Sequence, residues 1–423
     1  MKHRRLPIAV SVISLLLALT LISSVSADVT PPEVSVTLPP GGSTTVVKSV
    51  HVPSVPPVVD VVFALDVSFS MDEELDLMKT HVTDIINGLA ALSGVDLQVG
   101  LVSHVDYPGQ YNYCGYSGTY GKSTDWAFRV DEPVTSDFAA VDAAAQALTV
   151  GHGSDAPQNY ARVMWESAQT DSGIGYRDEA FKVLVFFLDN LPHDCNINEG
   201  VPGMSGTYST GIDPGRNEVV DGYLGAGGDD LDFQDHALAD MISNNVRQIT
   251  MFSGGDWNMD YWEHWSGLTG GNVVQLSSSG EPPPGTDLPT VIVEAVEEAA
   301  MTPVVVTPVP TGCGLIDITF DPPQSDPAVG CEVVVFQETI TVPEEMEPGE
   351  YCCQVEFWAD GALIGVQEVC VNAIEESVGG TIIPTDKFGL LTPWIVAVGA
   401  LIVAAGVSLG IWSRRRTEGA AGR

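Results

Sequence analysis

Hydrophobic positions along the chain fall into two periods that exchange places several times. An apolar run over 59–65 predicts a strand buried on both faces. It stops at Asp66-x-Ser68-x-Ser70, just before a segment whose Leu75, Met78, Val82, Ile85, Ile86, Leu89 and Leu92 share one helical face over 73–92. Further strands are expected at 97–105, 128–134, 182–188, 248–252 and 272–276, with helices at 139–148, 158–168, 233–244 and 289–300. Such alternation predicts an α/β unit over 58–301 with a doubly wound, mostly parallel sheet and helices on both faces. A ligand site in that architecture lies beyond the carboxyl ends of the central strands, where Asp66, Ser68 and Ser70 stand.

Outside that unit the period is two. Residues 28–57 read as two short strands, 33–38 and 44–52, around Pro39-Pro40-Gly41-Gly42. Residues 302–373 read as four more, at 315–320, 332–342, 351–358 and 363–371. Two strands are not stable alone, and four plus two approach the count of an immunoglobulin-like β-sandwich. The α/β unit is therefore expected as an insertion in the sandwich, the alternative being a separate N-terminal arm.

The ends change the picture. Residues 1–27 carry a basic opening, an apolar core and Val25-Ser26-Ala27, the pattern of a secretory signal peptide. After a linker at 374–389, the uncharged stretch 390–412 is long enough to cross a bilayer, and Arg414, Arg415 and Arg416 open a short tail at 413–423. The expectation is a single-pass cell-membrane protein with an extracellular N-terminal ectodomain. Formal charge is −39 overall, and residues 28–413 hold ten basic residues against 55 acidic ones. That surface repels nucleic acid and anionic lipid and attracts divalent cations.

One carboxylate and two hydroxyls on the loop at Asp66, Ser68 and Ser70 offer three oxygens to a hard cation, with positions left for water or a partner's acidic group. Short Asp/Ser loops also serve as caps and turns, so the later stretches matter. Val99-Gly100 through Val105-Asp106-Tyr107-Pro108 comes first, then Asp155-Ala156-Pro157, then Ile174-Gly175-Tyr176-Arg177, then an apolar strand running through Asp189 to His193. As a set, over about 58–300, they resemble the von Willebrand factor A domain in the form of the I-like domain of integrin β subunits.

That resemblance implies a metal-ion-dependent adhesion site holding Mg2+ (or Mn2+) on Asp66, Ser68, Ser70 and Asp189. The family's Glu after Asp-Ala-Pro is Gln158 here, an amide oxygen that ligates without adding charge. Glu73 and Glu74 fall at an adjacent ion site, or are ordinary first-turn acids. Asp106 and Asp155 match a third, Ca2+-type site in which the family's Asn is Gly153. The stretch with Tyr107, Tyr111, Tyr113 and Tyr116 sits where the family has its specificity loop and is expected to contact ligand. The family's insertion in a hybrid domain implies the same arrangement here.

Seven cysteines in an exported chain should be mostly bridged. Cys114, after the second strand, and Cys195, after Asp189, belong on one rim and are the expected pair. Cys313, Cys331, Cys352, Cys353 and Cys370 lie in the sandwich. Cys352 and Cys353 should face opposite sides of a strand and take different partners, leaving one thiol over. Catalysis is not expected: His193-Asp194-Cys195 are consecutive, and no phosphate loop, zinc spacing or Ser-His-Asp order is present. The reading is a surface protein that captures a carboxylate of a macromolecular ligand. The alternative is a structural envelope protein that binds cations only for stability. The sequence leaves open whether an α-subunit-like or homodimeric partner exists.

Overall fold

The computed structural model describes residues 29–92, 95–301 and 303–374. The expected signal peptide, membrane span and tail lie outside them; no described helix is long and apolar enough to cross a membrane. The described chain opens with β1 (Val29–Thr30), β2 (Glu33–Leu38) and β3 (Ser43–His51). The central unit follows with β4 (Val58–Asp66), α1 (Asp72–Ala90), β5 (Asp96–His104), β6 (Gly109–Tyr113), β7 (Tyr116–Gly121) and β8 (Arg129–Thr135). It continues with α2 (Phe138–Ala147), α3 (Tyr160–Ala168), β9 (Phe181–Leu188), and a π-helical turn at Phe233–Leu238 that runs into α4 (Ala239–Ser243). Next come β10 (Val246–Phe252), α5 (Met259–Leu268), β11 (Val273–Gln275) and α6 (Leu288–Ala300). Five strands close it: β12 (Val306–Thr311), β13 (Asp317–Asp321), β14 (Val333–Thr341), β15 (Gly349–Ala359) and β16 (Ala362–Ala373).

The central sheet has the order β11-β10-β9-β4-β5-β8, parallel except for β8 at its edge. Because both faces are covered, β4 divides its side chains between two cores. Val61, Phe63 and Leu65 meet α1 and α6 residues such as Met78, Ile85 and Ile292. Val62 and Ala64 meet Tyr160, Met164 and Trp262. A two-sided core is why the strand reads as one apolar run rather than as an alternation.

Several elements depart from the sequence reading: β1, β6, β7 and β12 fall where no strand was expected. Helix α5 was not expected; it buries Tyr261, Trp262, Trp265 and Ser266 at helical spacing behind β10. Helix α3 begins at Tyr160 rather than at 158. Gln158 is held extended instead, its N–H donating to the Leu191 carbonyl (3.1 Å) while its own carbonyl accepts from the His193 N–H (2.9 Å).

The flanking strands form two sheets, β1-β3-β14-β13 and β12-β15-β16-β2, around a shared core that includes Val36, Val50, Phe336, Phe357 and Val369. Strand β3 runs antiparallel to β14, and β2 runs parallel to β16. The segment before β4 thus supplies strands to both sheets, and the central unit leaves after β3 and returns at β12. The two halves also touch: Arg247 Nη2 lies 3.2 Å from Asp360 Oδ2, and the Leu363 N–H donates to the Glu179 carbonyl. Cys313 pairs with Cys353 and Cys352 with Cys370, from opposite faces of β15, and Cys331 is free and exposed.

Candidate metal centre

Asp66 ends β4 with only 2% of its surface exposed. Its Oδ1 accepts the Ser68 N–H (2.8 Å), which folds the loop back, and the Ser68 and Ser70 hydroxyls stand 3.2 Å apart. The neighbouring strand β9 delivers Asp189. Gly254, just after β10, packs so tightly there that an added Cβ would lie 2.0 Å from the Asp189 carbonyl oxygen. Tyr160, in the first turn of α3, donates its hydroxyl to Asp66 Oδ2 (2.7 Å) and stands 3.3 Å from Asp189 Oδ1. Two strand-end carboxylates therefore meet over one hydroxyl.

The electrostatics follow from that meeting. Burial pushes the Asp66 carboxyl up to about 6, against the hydrogen bonds from Tyr160 and Ser68. Burial and then the Asp66 charge push Asp189 up to about 6 as well. Among the described residues, no lysine or arginine is a main cause of either shift. Like charges in a dry site disfavour joint ionisation unless a cation enters. Gln158 is 3% exposed and its Oε1 is buried with no hydrogen bond. A Cβ built at Gly153 would touch both Gln158 Nε2 (3.4 Å) and Ser68 Cβ (3.5 Å), so the amide borders the loop. Two carboxylates meeting over one hydroxyl, two serine hydroxyls, and an orphaned amide oxygen on a side chain that borders the serine loop are a hard-oxygen donor set, and it fits a divalent cation.

The proposed adjacent pair is split. Glu74 is buried, with Oε2 unpartnered, and burial raises its pKa, opposed by a Ser253 hydrogen bond and aided by the Asp189 charge. Glu73 is exposed in the first turn of α1, so the structure does not bring it to the centre.

Asp106 and Asp155 do come together, but with His193 between them. One ligand atom from each of the three lies within 4.8 Å of the others. His193 Nδ1 donates to the Thr210 carbonyl (2.7 Å), and Nε2 is 3.2 Å from Asp106 Oδ2. Burial opposes the charged imidazolium, but Asp106, and then Asp155, hold its pKa above the ordinary value. When protonated, the His193 imidazole offsets the charge of this pair from within the protein.

The tyrosine stretch requires a correction. It is the hairpin β6–β7, and Tyr107 and Tyr120 are fully buried. Tyr107 donates to Asp213, Tyr111 to the Glu218 carbonyl (3.1 Å) and Tyr116 to Asp155 (2.8 Å). These rings pack on one another, so Tyr107 is no ligand contact, and only Tyr113, at 48%, stands out into solvent. The disulfide Cys114–Cys195 clamps the hairpin turn to the loop after β9. The aromatic surface at this rim lies elsewhere: Phe69, between the two site serines, is 71% exposed, and Trp257, after β10, is 60% exposed. Sequence reasoning missed both, together with Tyr160. Phe69 was legible as a large apolar residue inside a polar loop; a tyrosine opening a helix carries no such signal.

No family model matches the chain. Over 184 residues, 40% of this chain and 23% of the other, it is 27% identical to integrin beta-5 of Mus musculus. Over 176 residues, 39% and 22% of the two chains, it is 28% identical to integrin beta-5 of Bos taurus. The match thus spans under a quarter of those relatives' length. Among solved structures, a von Willebrand factor type A protein from Catenulispora acidiphila aligns with 84% of this chain and 76% of its own, at 13% identity and a TM-score of 0.36. Proximal thread matrix protein 1 from the mussel byssus, described with a zinc-occupied MIDAS motif, aligns over 61% and 48%, at 13% and 0.33.

Proposed function

We propose, for a chain that carries a von Willebrand factor type A domain related to the I-like domain of integrin β subunits, that it is a metal-dependent ligand-binding protein of the cell surface. The observation that carries this is the pair of buried carboxylates, Asp66 and Asp189, meeting at the Tyr160 hydroxyl with no lysine or arginine among the described residues paired to either. In this reading Asp66, Ser68, Ser70 and Asp189 hold Mg2+ (or Mn2+), and Gln158 adds its orphaned oxygen. When bound, the ion supplies positive charge with coordination positions open to an incoming carboxylate. Tyr160 fixes the orientation of both acids, and Phe69 and Trp257 give the ligand apolar contact beside the ion. We read the two-sheet sandwich as immunoglobulin-like and 390–412 as the membrane anchor that holds the rim away from the cell.

The acidic surface narrows the partner. A net charge of −39 repels a generally acidic macromolecule, so the favoured ligand presents one carboxylate in a neutral or basic setting. The test is selection of a displayed peptide library on the immobilised full-length chain, in Mg2+ and in chelator. Mg2+-dependent enrichment of peptides with a single acidic residue among neutral or basic ones is expected. Identical selections in the two conditions overturn the proposal and leave cations a stabilising role only.

Proton competition gives a second expectation. Both site carboxyls are pushed up to about 6, and the ion needs them ionised. Mg2+ affinity is therefore steady above neutrality and falls as pH drops through 6, by about tenfold per unit for each proton displaced. Titration calorimetry at pH 7.5 and pH 5 reads this directly; equal affinity at both contradicts the assignment of the ligands.

A further inference from the structure

The inward face of the sandwich holds three polar side chains where its strands otherwise place valine, isoleucine and phenylalanine. On β3 the inward positions are Val46, Lys48 and Val50; on β14 they are Phe336, Glu338 and Ile340. On β16 of the facing sheet, Gln367 precedes Val369 and Val371 on the same parity. Lys48, Glu338 and Gln367 are each 0% exposed. Lys48 Nζ lies 3.2 Å from Glu338 Oε2, and Gln367 Nε2 lies 3.3 Å from that same oxygen. The Pro31 carbonyl accepts a further hydrogen bond from Lys48 Nζ (3.1 Å). Glu338 Oε1 and Gln367 Oε1 are buried with no hydrogen-bond partner.

As a static network this is a poor use of a core. A buried ion pair is matched or exceeded in stability by apolar residues of the same size, and two orphaned oxygens add to its cost. As a reactive arrangement every part has a use: an amine, a primary amide and a carboxyl group in contact with both, in a site closed to water. We propose that Lys48 and Gln367 become joined by an isopeptide bond, formed within the folded sandwich with Glu338 as the proton carrier.

The chemistry balances without an outside reagent. Burial lowers the Lys48 pKa, against the charge and hydrogen bond of Glu338, and burial raises the Glu338 pKa, against Lys48. Both shifts favour the neutral pair, a free amine beside a protonated carboxyl. The Lys48 nitrogen attacks Gln367 Cδ, and the Nζ–Cδ bond forms as the Cδ–Nε2 bond breaks. Glu338 gives its proton to the departing nitrogen and recovers one from the Lys48 nitrogen. The products are a secondary amide, one ammonia and an unchanged Glu338. Glu338 Oε2 holds the amine at 3.2 Å and the amide at 3.3 Å, and this shared tether replaces the bimolecular encounter that makes the reaction negligible between free side chains in water.

The link joins β3, which leads into the central unit, to β16, the last strand before residue 374, and it joins one sheet to the other. A pull between the metal-bearing rim and the C-terminal segment then passes through a covalent bond. In its absence, load entering through β3 is held by the ladder hydrogen bonds of β3 with β14, whereas load entering through β12 already meets the disulfides Cys313–Cys353 and Cys352–Cys370. That suits a ligand-binding head on a tether, although the bond does not depend on the metal site.

Peptide mapping tests it. Full-length protein is reduced, alkylated and digested with an acid protease, and the digest is sequenced by mass spectrometry. The expected species is a branched peptide containing Lys48 and Gln367, lighter by one ammonia than its two parts. Glu338→Ala should slow its appearance by about 10²–10⁴-fold, the usual scale for a proton carrier, and Lys48→Met should eliminate it. Separate, unmodified Lys48 and Gln367 peptides from the unsubstituted protein overturn the proposal. A branched peptide joining Lys48 to Glu338, lighter by one water, overturns the assignment of Gln367 as the acyl group. Because the reading comes from the unsubstituted chain, misfolding of a variant does not blur it.

Discussion

Asp66→Ala abolishes saturable Mg2+ binding and leaves the chain folded. Asp66 is fixed by its position at the end of β4, by the Ser68 N–H and by Tyr160. Removing one of two charged ligands from a site whose remaining donors are a carboxylate, two hydroxyls and an amide costs more than losing an outer-shell partner. An outer-shell loss already lowers affinity by about 10–100-fold. A drop of at least about 100-fold is therefore expected by calorimetric titration of chelator-treated protein. Stability should move the other way. The Asp66 carboxyl is pushed up to about 6 in the folded state, above the ordinary aspartate value. Its ionisation thus opposes folding, a cost that grows from the unfolded value up to about pH 6 and is then complete. At pH 7 and without metal, the variant should melt no lower than the parent. Full Mg2+ affinity in a folded Asp66→Ala protein would remove the centre from the mechanism.

Why some of this was legible and some not is a matter of which forces leave a trace in one dimension. Asp66 and Asp189 were readable because each interrupts an apolar run, and a charge at the end of a doubly buried strand has few structural uses. Glu73 and Glu74 were not separable, since adjacent helical residues point about 100° apart and only packing against Ser253 and Gly280 selects Glu74. The tyrosines misled because aromatic rings in a Gly-rich segment suit a recognition loop and a small self-packed hairpin equally well. Burial under residues about a hundred positions downstream, Asp213 and Glu218, decided between them. Helix α5 was hidden by the Gly254-Gly255 pair ahead of it and by aromatic residues of modest helix propensity, which tertiary packing overrode. Lys48 was visible in the alternation Val46, Lys48, Val50; its partners, roughly 290 and 320 residues away in sequence, were not.

Arg177→Met should cost the central unit about 3–5 kcal/mol, the largest stability loss expected of a single change away from the core. Asp60 is fully buried in β4, and Arg177 Nε and Nη2 donate to its Oδ1 at 2.8 and 2.6 Å while the Arg177 N–H donates to Oδ2 at 2.7 Å. The guanidinium also binds the Val59 and Asp96 carbonyls, at 3.1 and 2.9 Å, closing the start of the sheet where β4 and β5 pair. Burial raises the Asp60 pKa even against Arg177, so methionine would leave a carboxylate in the interior with only a backbone N–H. Chemical denaturation reads the loss. The decisive comparison is Asp60→Val with Arg177→Met: once both charges are gone, most of the stability should return, less the share of the orphaned Arg177 N–H and of the carbonyls. A double variant as unstable as the single one would mean that the arginine acts through its contacts to the strand carbonyls, not by neutralising Asp60. Because Asp60 and Asp66 bracket the same strand, the Mg2+ affinity of folded Arg177→Met separates a loss of stability from a loss of site geometry. Unchanged affinity below the melting transition is the expected result.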